Sequence, residues 1–371
     1  MAIRVSSSMR FKRVGFLKYM GERCPQAKYD ICSSGVAAVK PEEFGLLWDD
    51  IRLDGSRAED GADIHEVIAK RFGVTPEMVF ISAGSTILSF QTIATIFEQP
   101  GAAIIEKPIY TPLEAALDVF THDVRSLPRW FEDDWALDLE ELGRIWDPSV
   151  RLIVLCNLNN PTGKRATVKE IKAVADVAAR SGGYVLVDEV FRSYDFDLPP
   201  GCAASVAPNV ITTASYTKVF GLGGIRFGWF IGPPELKERV ALLNEYFAVS
   251  GHCPSVNIAA RAFKNIDMLI ARTRKIIDAG RPLFEEWIAS RDDLECRLPD
   301  AGPIAFPRLK DGGDMTEVAD RLFDEEKVLI ASGINFGDPS GFRISFGVPV
   351  ENIEYGYKAL GRVLDERRKS G

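Results

Sequence analysis

At 371 residues, with 46% hydrophobic and 26% charged side chains, the chain has the composition of a globular protein able to bury a large core. Its formal net charge of −8 comes from dispersed charges, which excludes a basic nucleic-acid-binding surface. No apolar run approaches the about 18 residues of a membrane span, and none of signal-peptide length follows the basic residues Arg4, Arg10, Lys12 and Arg13; a cytoplasmic location with no membrane and no nucleic-acid partner is expected.

In chain order, a helix-like segment at residues 62–72 is followed by alternating strand-like and helix-like runs. The strand-like runs are 78–81, 102–106, 151–156, 184–187, 210–213 and 227–231; the helix-like ones are 86–97, 112–120 and 168–180. Short apolar runs separated by amphipathic helices read as a mostly parallel sheet covered on both faces. A helix-compatible stretch from about 255 to 290 carries the chain out of that sheet. Strand candidates at 304–309 and 342–346 and a charged helix near 351–368 close the chain. The expected organisation is a large α/β domain over residues 46–285 and a smaller domain formed by both chain ends, 1–45 and 286–371.

Cys24, Cys32, Cys156, Cys202, Cys253 and Cys296 contain no CxxC pair, which fits reduced thiols better than a disulfide framework or a zinc site. His65, His122 and His252 are scattered and read as structural, so no metal is expected.

Chemistry concentrates after the strands. Ser215-Tyr216-Thr217-Lys218 follows one of them and leads into Gly221-Leu222-Gly223-Gly224-Ile225-Arg226. Alone, Lys218 reads as a surface lysine. A dinucleotide loop is excluded, because Arg226 stands where G-x-G-x-x-G needs its third glycine and a strand follows instead of a helix. Asn159-Asn160-Pro161-Thr162-Gly163 follows the 151–156 run; alone it is an ordinary turn, and Arg165 after Lys164 rules out a P-loop. Asp188-Glu189 closes the 184–187 run, and α/β sheets place ligands at that end of a parallel strand.

Asn160, Asp188, Lys218 and Arg226, in that order and context, resemble the fold-type-I pyridoxal 5'-phosphate (PLP) enzymes, specifically the class I/II aminotransferase family. The resemblance covers nearly the whole chain. It implies an aspartate aminotransferase-like fold: a mostly parallel seven-stranded sheet in the large domain beside a smaller α+β domain, assembled as a homodimer. It also implies an aminotransferase that passes the α-amino group of an L-amino acid to a 2-oxo acid in ping-pong fashion. Lys218 would hold PLP as a Schiff base and then act as base and acid at Cα and at the cofactor C4'. Asp188 would keep the pyridine nitrogen protonated, and Asn160 would donate to the ring oxygen O3'. Arg226, Ser215 and the turn Gly84-Ser85-Thr86 match the family's phosphate ligands, although that turn alone reads as a plain N-cap. Tyr110 matches the aromatic residue stacked on the ring; alone it reads as core packing. Arg343 matches the arginine that clamps the substrate carboxylate, with a structural ion pair as its bland reading. Gly35 matches a glycine whose backbone lies near the substrate.

Two positions depart from the family. Phe191 stands where the family has a tyrosine whose hydroxyl also reaches O3', so one donor is missing. The family's tyrosine that reaches the neighbouring subunit's phosphate is absent from residues 54–65, where Ser56 and Arg57 are the candidate substitutes. Phe191 also resembles PLP enzymes that oxidise or cyclise arginine-like substrates, so a lyase, oxidase or cyclase reaction is the alternative. A second arginine for an acidic side chain is not fixed by spacing; Arg57 and Arg192 are candidates.

Overall fold

The computed structural model describes residues 11–53, 63–248 and 253–370. Its helices begin and end where local chemistry dictates. Asp63 caps Ile64–Phe72 by accepting the His65 N–H at 2.9 Å, and Gly73, at φ 69°, ends it. Thr167 and Glu170 form a capping box that opens Val168–Ala179.

Seven strands form the central sheet in the order Val79–Ser82, Gly228–Ile231, Val210–Ser215, Tyr184–Asp188, Val150–Cys156, Ala102–Lys107, Val124–Pro128. Only Gly228–Ile231 runs antiparallel to its neighbours. Ile153, Val154, Leu186 and Ile211 are wholly buried, as expected of strands covered on both faces. The Val124–Pro128 strand is absent from the sequence reading. It is an edge strand with half-exposed Val124 and Arg125, so it lacks the apolar run that marks the central strands.

After Ala102–Lys107 the chain moves outward to Val124–Pro128, then returns to Val150–Cys156 on the other side. The sheet therefore reverses direction between Ala102–Lys107 and Val150–Cys156. A crevice opens at the carboxyl ends of strands flanking such a switch point. Tyr110 and Asn160 lie in the loops after those two strands.

The helix-compatible stretch is two helices, Cys253–Lys264 and Ile266–Ala289. They break at Asn265, whose side-chain amide donates to the carbonyls of Phe44 and Arg261, each at 3.0 Å. The expected 304–309 strand is also two pieces. Ile304–Ala305 pairs with Phe342–Ser345, and Arg308–Leu309 pairs with Leu294–Glu295. Pro307 between them has no N–H to give a ladder. Near the other end of the chain, Tyr29–Asp30 lies parallel to Val328–Leu329, so an N-terminal segment pairs with a C-terminal one.

The Ile266–Ala289 helix touches both regions. Thr273 donates to the Val219 carbonyl at 2.6 Å, while Gly280 is pressed against the Phe346 carbonyl. A Cβ at Gly280 would land on that carbonyl oxygen. Gly280→Ala is therefore expected to destabilise the fold by about 1–3 kcal/mol, read as a lower urea midpoint; an unchanged midpoint would show that the helix can shift there freely.

Candidate active site

At the carboxyl edge of the sheet a cavity of ≈ 580 Å³ is lined by Lys218, Asp188, Asn160, Tyr110, Phe191 and Arg343. Ser85, Thr86, Ser215 and Arg226 form another part of the same wall. Gly84 and Gly35 stand just behind it.

Strand register explains the convergence. Asp188 is level with Cys156 on one side and Thr213 on the other, and Ser215 and Ser82 are both level with Gly228. A Cβ at Gly228 would come within 2.6 Å of the Gly84 backbone, so only glycine lets the two chains meet there. Gly84, at φ 107°, opens the Ser85–Ile96 helix. Arg226 adopts a left-handed φ of 49° and turns its guanidinium back to this helix start, where Nη2 donates to the Ala83 carbonyl at 3.3 Å. A Cβ on Gly84 would approach that nitrogen to 2.8 Å. Backbone N–H groups, hydroxyls and a guanidinium with no carboxylate partner among the described residues thus meet at one helix N-terminus, a setting that suits a phosphate.

Two of the three asparagines of the Asn157–Gly163 loop serve the fold. Asn157 exchanges hydrogen bonds with the Ala166 backbone. Asn159 donates to Glu106 and to the Pro108 carbonyl, each at 3.0 Å, and accepts from the Thr162 hydroxyl at 2.7 Å. Asn160 accepts from Arg343 Nη1 at 3.0 Å. Arginine only donates, so the amide oxygen must face Arg343, which leaves the Nδ2 donor for the cavity. The sequence reading missed the platform beneath this loop. Buried Glu106 accepts from Arg129 Nε at 2.6 Å, from the Cys156 N–H at 2.5 Å and from Asn159.

Arg343 lies in the Phe342–Ser345 strand and is only 2% exposed. Nη2 donates to the Cys32 carbonyl at 3.0 Å, Nε has no partner, and the guanidinium lies over the Phe16 and Phe336 rings. No carboxylate pairs with it among the described residues, so the ion-pair alternative is not realised there. A buried cation without an anion is costly until one arrives.

Burial lowers the Lys218 amine to about 8, and the Arg343 charge adds to the effect. Burial raises the Asp188 carboxyl to about 6 even though the Val190 N–H donates to it at 3.0 Å. Tyr110 is pushed up to about 12, first by burial and then by Asp188. Gly35 lies against the Lys218 side chain, where a Cβ would sit 3.3 Å from Cδ; Ser33 and Ser34, not Gly35, line the cavity. Phe191 is buried and set edge-on to Tyr194. Tyr194 does not replace the missing hydroxyl, because its own points to the carbonyls of Ser34 at 3.1 Å and Lys218 at 2.9 Å. Arg192 donates to the Pro199 carbonyl and stays outside the cavity, while Ser56, Arg57 and His252 lie outside the described residues.

An amine of lowered pKa, a buried carboxylate, an anion cradle and an unpaired buried guanidinium around one cavity define a PLP enzyme's donor set, and the residues fit that cofactor. Residues 61–360 match the family described as aminotransferase class I and II, and the chain belongs to that family of PLP-dependent enzymes. It is 27% identical over 364 residues to capreomycidine synthase of Streptomyces vinaceus, covering 93% of this chain and 92% of the relative. Among solved structures it superposes on a PLP-dependent aminotransferase from Streptococcus suis with a TM-score of 0.88 at 23% identity, covering 96% of this chain and 99% of the other. It superposes on the PLP-dependent cyclase OrfR with a TM-score of 0.84 at 22% identity, covering 99% and 100%. These structures share the aspartate aminotransferase-like fold. No helix among the described residues is long and apolar enough to cross a membrane.

Only the neutral amine attacks an aldehyde. With a pKa of about 8, roughly a tenth of Lys218 is neutral at pH 7, against about 0.03% for an ordinary lysine. Because the folded pKa is lowered, the neutral form gains as pH rises and saturates above the shifted value. The rate of PLP capture by cofactor-free protein should therefore climb about tenfold per pH unit up to about 8 and then level off. A climb continuing to pH 10 would contradict this.

Proposed function

We propose that the protein transfers the α-amino group of an L-amino acid to a 2-oxo acid in two half-reactions at this cavity. Arg343 carries the reading, as a buried guanidinium with a free Nε, no carboxylate partner among the described residues, and the Lys218 amine in the same cavity. A planar guanidinium of this kind suits the bidentate grip of an α-carboxylate.

When bound, PLP supplies an aldehyde for the amine and a cationic ring that takes up the electron pair left at Cα. Lys218 would hold the aldehyde through its amine and, once released, would serve as the base and acid that moves a proton at the substrate Cα. Asp188 keeps a proton on the ring nitrogen; a cation beside it favours its ionised form, which burial alone disfavours. Asn160 Nδ2 would donate to the ring oxygen. Tyr110 would cover a ring face, with Phe191 lining the same cavity. Ser85, Thr86, Ser215, Arg226 and the Gly84 turn would hold the phosphate. Arg343 and Asn160, with the backbone at Gly35, orient the substrate.

A second reading, another PLP reaction at Cα or Cβ such as elimination, oxidation or cyclisation of an arginine-like substrate, is favoured by Phe191 and by the likeness to capreomycidine synthase and to OrfR. The same residues serve both readings, because the cofactor supplies the common electron sink and the cavity decides the outcome.

The proposal includes a cytoplasmic homodimer, divided into a unit of residues 46–285 and a unit of 1–45 with 286–371. The pairing of Tyr29–Asp30 with Val328–Leu329 supports the division. Trp48, Leu53 and Tyr246, exposed at 86%, 87% and 89%, support a covering partner.

Mixing the PLP-loaded protein with an amino acid, without oxo acid, is expected to convert the bound cofactor to its amine form and release one oxo acid per site. Borohydride should fix the cofactor to Lys218, and Lys218→Ala should abolish both signals. Cofactor fixed at another residue would end the proposal, and product release without the amine form would favour the second reading. Phe191→Tyr restores a donor to the ring oxygen and stabilises its deprotonated form. The pH midpoint of the bound cofactor's colour change should fall by about one unit, the equivalent of one hydrogen bond; no fall would mean that the restored hydroxyl does not reach the ring.

A further inference from the structure

We infer that the substrate side chain ends in a cation, an ammonium or guanidinium held by the Asp30 carboxylate; this rests on the amino-acid substrate proposed above. Five side chains that can carry a full charge line the cavity among the described residues: Lys218, Arg226, Arg343, Asp188 and Asp30. Cofactor binding accounts for Lys218, Arg226 and Asp188, and the substrate carboxylate accounts for Arg343. Asp30 is left, and it faces the substrate space as the one charge without an assigned counterpart.

Its geometry suits that use. Asp30 ends the short Tyr29–Asp30 strand. Oδ1 accepts the N–H groups of Cys32 at 2.8 Å and Ser33 at 2.9 Å, which fixes the carboxylate in place. Oδ2 has no hydrogen-bond partner, and no cation forms an ion pair with Asp30, among the described residues. Cys32 links the two ends of the substrate space, since Asp30 holds its N–H and Arg343 holds its carbonyl at 3.0 Å. A molecule whose carboxylate sits on Arg343 therefore has an anion within reach of its far end. The same cavity wall carries apolar Phe16, Leu17 and Met20 from the Gly15–Arg23 helix, with Ile87 and Leu158. Methylene groups pack there, and a terminal cation continues to Asp30.

The same inventory disfavours an acidic side chain. Arg192, one candidate to receive it, is outside the cavity and donates to the Pro199 carbonyl at 3.2 Å. A side-chain carboxylate near Asp30 meets like charge in a partly desolvated space.

Asp30 also caps its own turn, and Asp30→Asn separates that role from recognition. The amide oxygen can still accept from Cys32 and Ser33, while the charge is gone. The test follows the half-reaction by cofactor absorbance in PLP-loaded wild type and Asp30→Asn, with L-arginine, L-ornithine, L-norleucine and L-glutamate. Arginine or ornithine should show the highest kcat/KM in wild type, and the better of the two distinguishes guanidinium from ammonium. Asp30→Asn should lower kcat/KM for that amino acid about 30-fold or more, the loss usual when one partner of a buried charge pair is removed. Norleucine should change less than about threefold, which also reports that the variant is folded and loaded. Preference for norleucine or glutamate in wild type, or an equal loss on every amino acid in Asp30→Asn, would overturn the inference while leaving the amino-acid substrate intact. No spectral response to any amino acid would overturn both.

Discussion

Arg343 donates to Asn160 and to the Cys32 carbonyl, and so binds three distant stretches of chain to one guanidinium. It is buried with no carboxylate partner among the described residues, so its charge acts on the cavity unneutralised by an ion pair. That field contributes to the low pKa of Lys218, and a proton-transfer amine must be able to lose its proton near neutral pH. The hydrogen bond to Asn160 turns the asparagine so that its donor, not its acceptor, faces the cofactor space. In the proposed reading, carboxylate recognition, lysine activation and orientation of the ring-oxygen donor thus share one charge. Loss of Arg343 would disturb all three, so its effect would not divide cleanly into binding and rate.

That guanidinium would be useless on a loose scaffold. The Asn157–Gly163 loop is held from below by Glu106, which is itself held by Arg129 and wholly buried. Glu106 accepts from three donors, and this is how a buried carboxylate is tolerated. On the other side of the cavity, close approach of Gly228 to Gly84 brings the start of the Ser85–Ile96 helix to the sheet edge. Arg226 reaches that start only because its backbone is left-handed. The cradle proposed for the phosphate depends on these two backbone conditions as much as on the charged side chain.

The sheet was legible because its central strands are apolar on both faces, and Ile153, Leu186 and Ile211 announce themselves in any reading of pattern. Val124–Pro128 was not, since an edge strand needs no such run. The break at Asn265 was hidden because asparagine is tolerated within helical patterns, and only its bonds to Phe44 and Arg261 end the helix. In the site, Asn160, Asp188, Ser215 and Lys218 were found by motif because they lie at or just after the ends of central strands, where spacing is short and fixed. Glu106, Arg129, Tyr194 and Asp30 were missed for the opposite reason. Their partners are remote in sequence, with 160 residues between Tyr194 and Ser34 and 50 between Glu106 and Cys156, and no local spacing encodes such pairs.

Phe191 and Tyr194 place an apolar ring and a backbone-bonded hydroxyl next to the proposed cofactor space. The family places a hydroxyl at the position of Phe191, where it withdraws charge from the ring oxygen. Here that position is apolar, and the tyrosine three residues on gives its hydroxyl to the backbone of Ser34 and Lys218. In the proposed reading, the ring oxygen would have Asn160 as its donor, and Arg343 orients that asparagine. An anion settling on Arg343 would then also act on the residue that tunes the ring, so substrate binding and cofactor electronics would share one hydrogen bond.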